Sequence, residues 1–157
     1  MYEILKERFE EIITGETNFM ANASNFASLV FNYLKDINWV GFYFLDGKEI
    51  ILGPFQGKVA CVRIPLGKGV CGTSARNRRV IIVDDVHKFP GHIPCDPYSK
   101  SEIVVPLIYK NVLYGVLDID SPILNRFSEK DRDELVEMME MLVQSSDIEA
   151  LSCYYKV

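Results

Sequence analysis

The chain has 157 residues, 48% of them apolar and 25% charged, the balance of an ordinary globular domain with a core that needs no disulfides. A net charge of −5, with only short basic clusters such as "RNRR" (76–79), excludes a general binder of the phosphate backbone. No apolar run reaches the roughly 18 residues that span a bilayer.

The opening "MYEILKERFEEII" is acidic and amphipathic rather than a signal peptide, so a cytoplasmic protein is expected. Tyr2, Leu5, Phe9, Ile12 and Ile13 recur at helical spacing, and Gly15 ends that helix. A second helix carries Phe19, Ala23, Phe26, Ala27, Val30 and Leu34 on one face. "NWVGFYFLDGKEIILGPF" reads as two strands hinged at Asp46-Gly47, a turn in which both positions want positive φ. Trp39, Gly41 and Tyr43 share one face of the first strand, and Val40, Phe42 and Phe44 the other. The Trp39 face is either aromatic core or the floor of a ligand site.

"ACVRIPL" (60–66) predicts a further strand stopped by Pro65 and Gly67. "GKGVCGTSARN" is Gly-rich and then helix-compatible; it lacks the ending of a P-loop, which argues against nucleotide hydrolysis. "RVIIVDDV" is a short strand. Residues 84–101 hold too many Pro, Gly, His and Asp residues for helix or strand, and so long a loop in a compact domain points to function or disorder. "EIVVPLIYKNVLYGVLDID" gives two strands around Lys110-Asn111. "FSEKDRDELVEMMEMLV" closes the chain as a helix, with a capping box from Ser128 to Asp131 and a buried stripe of Leu135, Met138, Met139 and Leu142. This order predicts one α+β domain over 1–157: helices over about 1–36, sheet and loops over about 37–121, a last helix over about 128–145. An antiparallel sheet would carry the terminal helices on one face and leave the other to loops and a ligand.

Three groups of side chains bear on chemistry. In a reducing compartment Cys61, Cys71, Cys95 and Cys153 would be thiols at rest. No two form a C-x-x-C pair, so structural zinc is a weak reading, even with His87 or His92 added, and no metal is expected. Cys153 in the tail reads as a bystander. Cys95 sits between Pro94 and Pro97, which lack N–H groups and keep it out of a strand ladder or helix core. It is either a reactive thiol or an incidental loop cysteine. Asp118 and Asp120 alternate with Leu117 and Ile119, so both carboxylates share one strand face, and Glu102 on the next strand can reach it. Such acids repel one another unless an ammonium, a metal ion or a shared proton joins them. The blander alternative is a sheet edge with solvated acids.

Taken together, "NWVGFY", "GPFQGKVACVRIPLGKGVCGTSA", "VDDVHKFPGHIPCDPYSKSEIVVPL" and "GVLDIDSP" resemble the free methionine-(R)-sulfoxide reductases, an enzyme branch of the GAF domain family. The resemblance runs from about Trp39 to the last helix. It implies the GAF fold, with the pocket under the loops, and it assigns roles by position. Cys95 matches the thiol on which a sulfenic acid forms, Cys61 the recycling thiol, and Cys71 a third cysteine that offers an alternative disulfide partner. Glu102, Asp118 and Asp120 match the pocket acids, and Trp39 and Tyr43 the pocket aromatics. Ile93 and Pro94, beside the thiol, are expected to touch substrate. Cys153 has no counterpart.

The implied reaction is thiol attack on the sulfoxide sulfur of free L-methionine-(R)-sulfoxide, with Glu102 and Asp120 serving the oxygen and Asp118 the ammonium. It needs no cofactor beyond an external dithiol, thioredoxin fed by NADPH. The resemblance further implies a homodimer, with Phe9, Phe31 or the tail as candidate contacts. The alternative is a non-catalytic GAF sensor for a small molecule such as a cyclic nucleotide, since "NRFSEKD" (125–131) imperfectly resembles the N-K…F…D-E pattern of such domains. It departs where Arg126 replaces Lys and Arg132 follows Asp131. A metal- or redox-sensing thiol protein is a third reading.

Overall fold

The computed structural model describes residues 1–92 and 95–157. Two helices lead, α1 (Tyr2–Ile13) and α2 (Phe19–Tyr33), followed by β1 (Trp39–Asp46), β2 (Glu49–Gly57) and β3 (Arg63–Pro65). Then come α3 (Gly69–Asn77), β4 (Ile81–Val83), β5 (Ser101–Tyr109), β6 (Val112–Ser121) and α4 (Glu129–Ser145). The six strands form one sheet in the order β3-β2-β1-β6-β5-β4, and every pairing is antiparallel. The expected α+β architecture is therefore the observed one.

Alternation along the strands separates two apolar clusters. Val40, Phe42 and Phe44 of β1, with Ile103, Val105, Leu117 and Ile119, pack against α1, α2 and α4. Phe26 bridges the layers, its ring 5.2 Å from Phe9 and 5.8 Å from Phe42. Each such ring removed from water stabilises the fold by roughly 1.5–3 kcal/mol. Trp39, Tyr43, Val104 and Val116 belong to the second cluster, on the opposite face, where α3 packs.

Helix ends follow their sequence signals. Asn18 caps α2 by accepting from the Ala21 N–H at 2.9 Å. The capping box of α4 forms as expected, and the Tyr2 hydroxyl donates to Asp131 Oδ1 at 2.6 Å, tying the start of α1 to the start of α4. Lys110 and Asn111 both take positive φ, 49° and 64°, as a tight two-residue hairpin turn requires.

Several details differ from the sequence reading. Asp46 ends β1 paired with Glu49, and Gly47 (φ 72°) carries the positive φ of that hairpin rather than both positions. Strand β2 bulges: Gly41 faces Phe55 and Tyr43 faces Leu52, which leaves Pro54 at a point where its missing N–H costs no ladder bond. The strand expected over 60–66 shortens to Arg63–Pro65, the loop expected over 84–101 gives up Ser101 to β5, and among its described residues it carries a 3₁₀ turn at Val86–Lys88. A second 3₁₀ segment, Ile148–Cys153, follows α4. Phe9 is fully buried, which removes it as a subunit contact; Phe31 is partly buried against the core. No helix among the described residues is long and apolar enough to cross a membrane.

Candidate active site

On the face away from the terminal helices lies a cavity of about 50 Å³ whose walls include Trp39, Tyr43, Cys71, Cys95, Glu102, Asp118 and Asp120. Sheet register builds its floor. Asp120 faces Trp39 on β1 and Glu102 on β5, while Asp118 faces Gly41 and Val104. The two-residue period that put both aspartates on one face in the sequence thus delivers them to one spot, with Glu102 beside them. Asp118 and Glu102 are 5% and 6% exposed, and Asp120 keeps part of its surface open. The reading of these acids as a solvated edge is overturned, because β6 is a central strand.

Three carboxyl groups in one dry place cannot all ionise. Burial, followed by the charge of Asp120, pushes Asp118 up to about 8. Burial and then Asp118 hold Glu102 well above the ordinary range. Asp120 is raised by burial, then by Glu102 and Asp96. Some of these groups therefore carry protons at neutral pH. Among the described residues Asp118 Oδ1 is buried with no hydrogen-bond partner, an arrangement that costs free energy until a donor arrives.

The aromatic wall is both core and site. The Trp39 ring stacks on Tyr43 and Phe55 at 5.9 and 5.4 Å and lies over Gly41, where a Cβ would meet it at 2.5 Å. Its Nε1 donates to the Lys58 carbonyl at 3.0 Å. The Tyr43 hydroxyl donates to the Cys61 carbonyl at 2.9 Å, holding the segment before β3 above the cavity.

Cys61 and Cys95 form a disulfide, with Cα atoms 5.7 Å apart, inside the usual range for such a bond. Cys71, on the first turn of α3, is a buried free thiol whose S–H donates to Glu102 Oε1 at 3.6 Å. Burial and the adjacent acids push that thiol up and keep it protonated. Cys153 is free and exposed. Of the predicted site residues, eight line this cavity or, like Cys61, bond to its wall. Ile93 and Pro94 lie outside the described residues.

Lys68, Asp96 and Ser99, which the sequence does not single out, also line the cavity, and so does His92, named from the sequence only as a zinc candidate. Asn38 Nδ2 lies 3.4 Å from both Asp96 Oδ2 and Ser99 Oγ, tying the Cys95 loop to the start of β1. Asp96 was findable, as a carboxylate beside the loop cysteine. The segment 125–131 does something other than line the cavity: Arg126 donates to the Lys35 carbonyl and approaches Asp131, which completes the α4 cap. His87 bonds Asp85, and with Cys61 and Cys95 joined, the zinc set built on them with His87 or His92 is not assembled.

A family model described as GAF domain matches residues 21–144. The chain belongs to the GAF domain family. This GAF domain is 48% identical over 149 residues to the free methionine-R-sulfoxide reductase of Escherichia coli K12, covering 93% of the chain and 90% of that protein. It superposes on fRMsr of Staphylococcus aureus in its reduced form with TM-score 0.89 and 49% identity, covering 92% and 94% of the two chains. It also superposes on the free methionine-R-sulfoxide reductase of Neisseria meningitidis in complex with its substrate, with TM-score 0.90 and 39% identity over 97% and 90%. The GAF domain described here is a homologue of these reductases.

Proposed function

We propose that the protein, acting as one domain over residues 1–157, reduces free L-methionine-(R)-sulfoxide to L-methionine. The observation that carries this reading is the Cys61–Cys95 disulfide at a cavity floored by three acids, two of them buried, whose crowding keeps protons on the cluster. Neither a binding module nor a structural domain needs that pairing.

A sulfoxide sulfur becomes electrophilic when its oxygen is protonated or strongly hydrogen-bonded. Glu102 and Asp120, held protonated by burial and mutual repulsion, serve that oxygen. The Cys95 thiolate attacks the sulfur of the protonated sulfoxide. As the S–O bond breaks the hydroxyl passes to the Cys95 sulfur, and the transient bond between the two sulfurs cleaves with its electron pair returning to the thioether. Methionine leaves, and Cys95 holds a sulfenic acid. Cys61 condenses with it, releasing water and forming the disulfide. Thioredoxin returns both thiols by exchange, taking the disulfide itself. Cys71, whose thiol is buried and bonded to Glu102, becomes an alternative partner only after a local rearrangement.

Asp118 serves the substrate's ammonium, and its unpartnered Oδ1 supports that assignment. Trp39 and Tyr43 supply the wall for the S-methyl group, with Ile93 and Pro94 next to the attacking thiol. A small, acid-floored cavity favours a free amino acid over the same residue inside a polypeptide, whose flanking peptide bonds need room. It also disfavours a cyclic nucleotide, whose phosphate would face carboxylates. The reading includes a cytoplasmic setting, where reductant is available, and assembly as a homodimer.

The test is direct. Incubated with L-methionine-(R)-sulfoxide and dithiothreitol, the protein should release methionine, measured by amino-acid chromatography. No release, with tight binding of another small molecule instead, would overturn the reading in favour of a sensor.

A further inference from the structure

The pairing of Cys61 with Cys95 leaves a different set of soft and hard ligands at the bottom of the cavity. Cys71 Sγ, one oxygen of Glu102 and one of Asp118 lie within 4.8 Å of one another, all buried. They come from three elements, α3, β5 and β6, so their spacing is set by the packing of a helix on the sheet and not by a flexible loop. Cys71 Sγ and Glu102 Oε1 are 3.6 Å apart. Two ligands of a tetrahedral zinc, with Zn–S about 2.3 Å and Zn–O about 2.0 Å, stand about 3.5 Å from each other.

A second observation points to a cation independently of that spacing. Among the described residues Asp118 Oδ1 is buried without a hydrogen-bond partner, in a residue that is 5% exposed. Lys68, the lysine at the cavity, is exposed at its rim, and among the described residues no ion pair links it to these acids. The cavity of about 50 Å³ has room for an ion with a water as its fourth ligand, since a single water needs only about 10–15 Å³. One thiolate with two carboxylates excludes magnesium and calcium and suits a borderline-soft dication.

We propose that Cys71, Glu102 and Asp118 form a binding site for a thiophilic divalent cation, with Zn²⁺ as its type, and that this ion and the sulfoxide substrate exclude one another. Binding exchanges the Cys71 S–H bond for a metal–sulfur bond and releases that proton, together with any proton shared by Glu102 and Asp118. The ion then occupies the carboxylates assigned to the substrate and removes the proton intended for the sulfoxide oxygen. The exclusion rests on the function proposed above; the binding does not.

The test uses the full chain carrying Cys61→Ser, Cys95→Ser and Cys153→Ser, so that Cys71 is its one thiol, titrated with Co²⁺. One equivalent should give a thiolate-to-cobalt charge-transfer band in the near ultraviolet and the strong visible bands of a tetrahedral site, both erased by Zn²⁺. Adding Cys71→Ser should abolish the near-ultraviolet band, and Asp118→Asn should weaken binding by at least about tenfold, as lesser changes around metal ligands do. If the triple variant does not fold, oxidised protein carrying Cys153→Ser alone is read in the same way. A spectrum without the charge-transfer band, or one that survives Cys71→Ser, overturns the site. In protein without the Cys61–Cys95 disulfide, methionine sulfoxide should raise the apparent Kd for Zn²⁺. Metal bound through Cys71 but indifferent to the sulfoxide would keep the site and remove the acids from substrate binding. Methionine release without any metal binding would remove the site and keep the enzyme.

Discussion

Cys95 and Cys61 share a bond but differ in proposed work, and single substitutions separate them. With Cys95→Ser, single-turnover methionine release should vanish, because no other thiol is assigned to attack sulfur; release at the wild-type level would remove Cys95 from the role. With Cys61→Ser, the first equivalent of methionine should appear and thioredoxin-driven turnover should then stall. Sustained turnover would move the resolving role to Cys71. That transfer needs local rearrangement, because the Cys71 thiol is buried and held by Glu102. Asp118→Asn should raise KM for the sulfoxide far more than it lowers kcat, since an arriving ammonium can displace the proton of Asp118 and pair with its carboxylate, whereas an amide has no such proton to give up.

At the scale of elements, β1 shows how one strand serves two layers. Phe42 faces the terminal helices and is fully buried, so Phe42→Ala should cost roughly 3–5 kcal/mol, read as a lower Tm. Ser128→Ala should cost about 1 kcal/mol through the lost α4 cap, with little effect on the chemistry. Those elements were readable because their causes are local: a two-residue alternation, a Ser–x–x–Asp box, a Lys110-Asn111 turn. Strand β3 was read too long for a non-local reason. Residues 60–62 have strand-like composition, but the Cys61 disulfide and the Tyr43 hydroxyl draw that segment over the cavity instead. Lys68 was read as part of a loose glycine-rich turn, and nothing in that turn tells that α3 begins at the cavity.

The whole molecule inherits a pH dependence from its acids. Asp118 is held at about 8, above its ordinary value of 3.8, so between these values the folded chain keeps a proton that the unfolded chain has lost. Stability is then greatest at the acidic end of this window and falls as pH rises through about 8. Glu102 and Asp120 act in the same direction. Thermal melts should show Tm declining across the window, and Asp118→Asn should flatten the decline; a Tm that climbs with pH would contradict the protonated cluster. The sequence paired Asp118 with Asp120 from periodicity. That Glu102 stands directly opposite Asp120 depends on β5–β6 register, and the central position of β6 depends on strand order, which no short stretch encodes.

With Cys95 bonded to Cys61, the hollow that Cys95 lines measures about 50 Å³, well short of the roughly 300 Å³ at which small-molecule pockets begin. An oxidised molecule has no room for a fresh amino acid, so each catalytic round works as a turnstile: one passenger through, then locked until a reductant resets it. The two half-reactions never share a ternary complex. Double-reciprocal plots taken at several thioredoxin concentrations should therefore run parallel, and surplus sulfoxide should leave the resetting step unhindered.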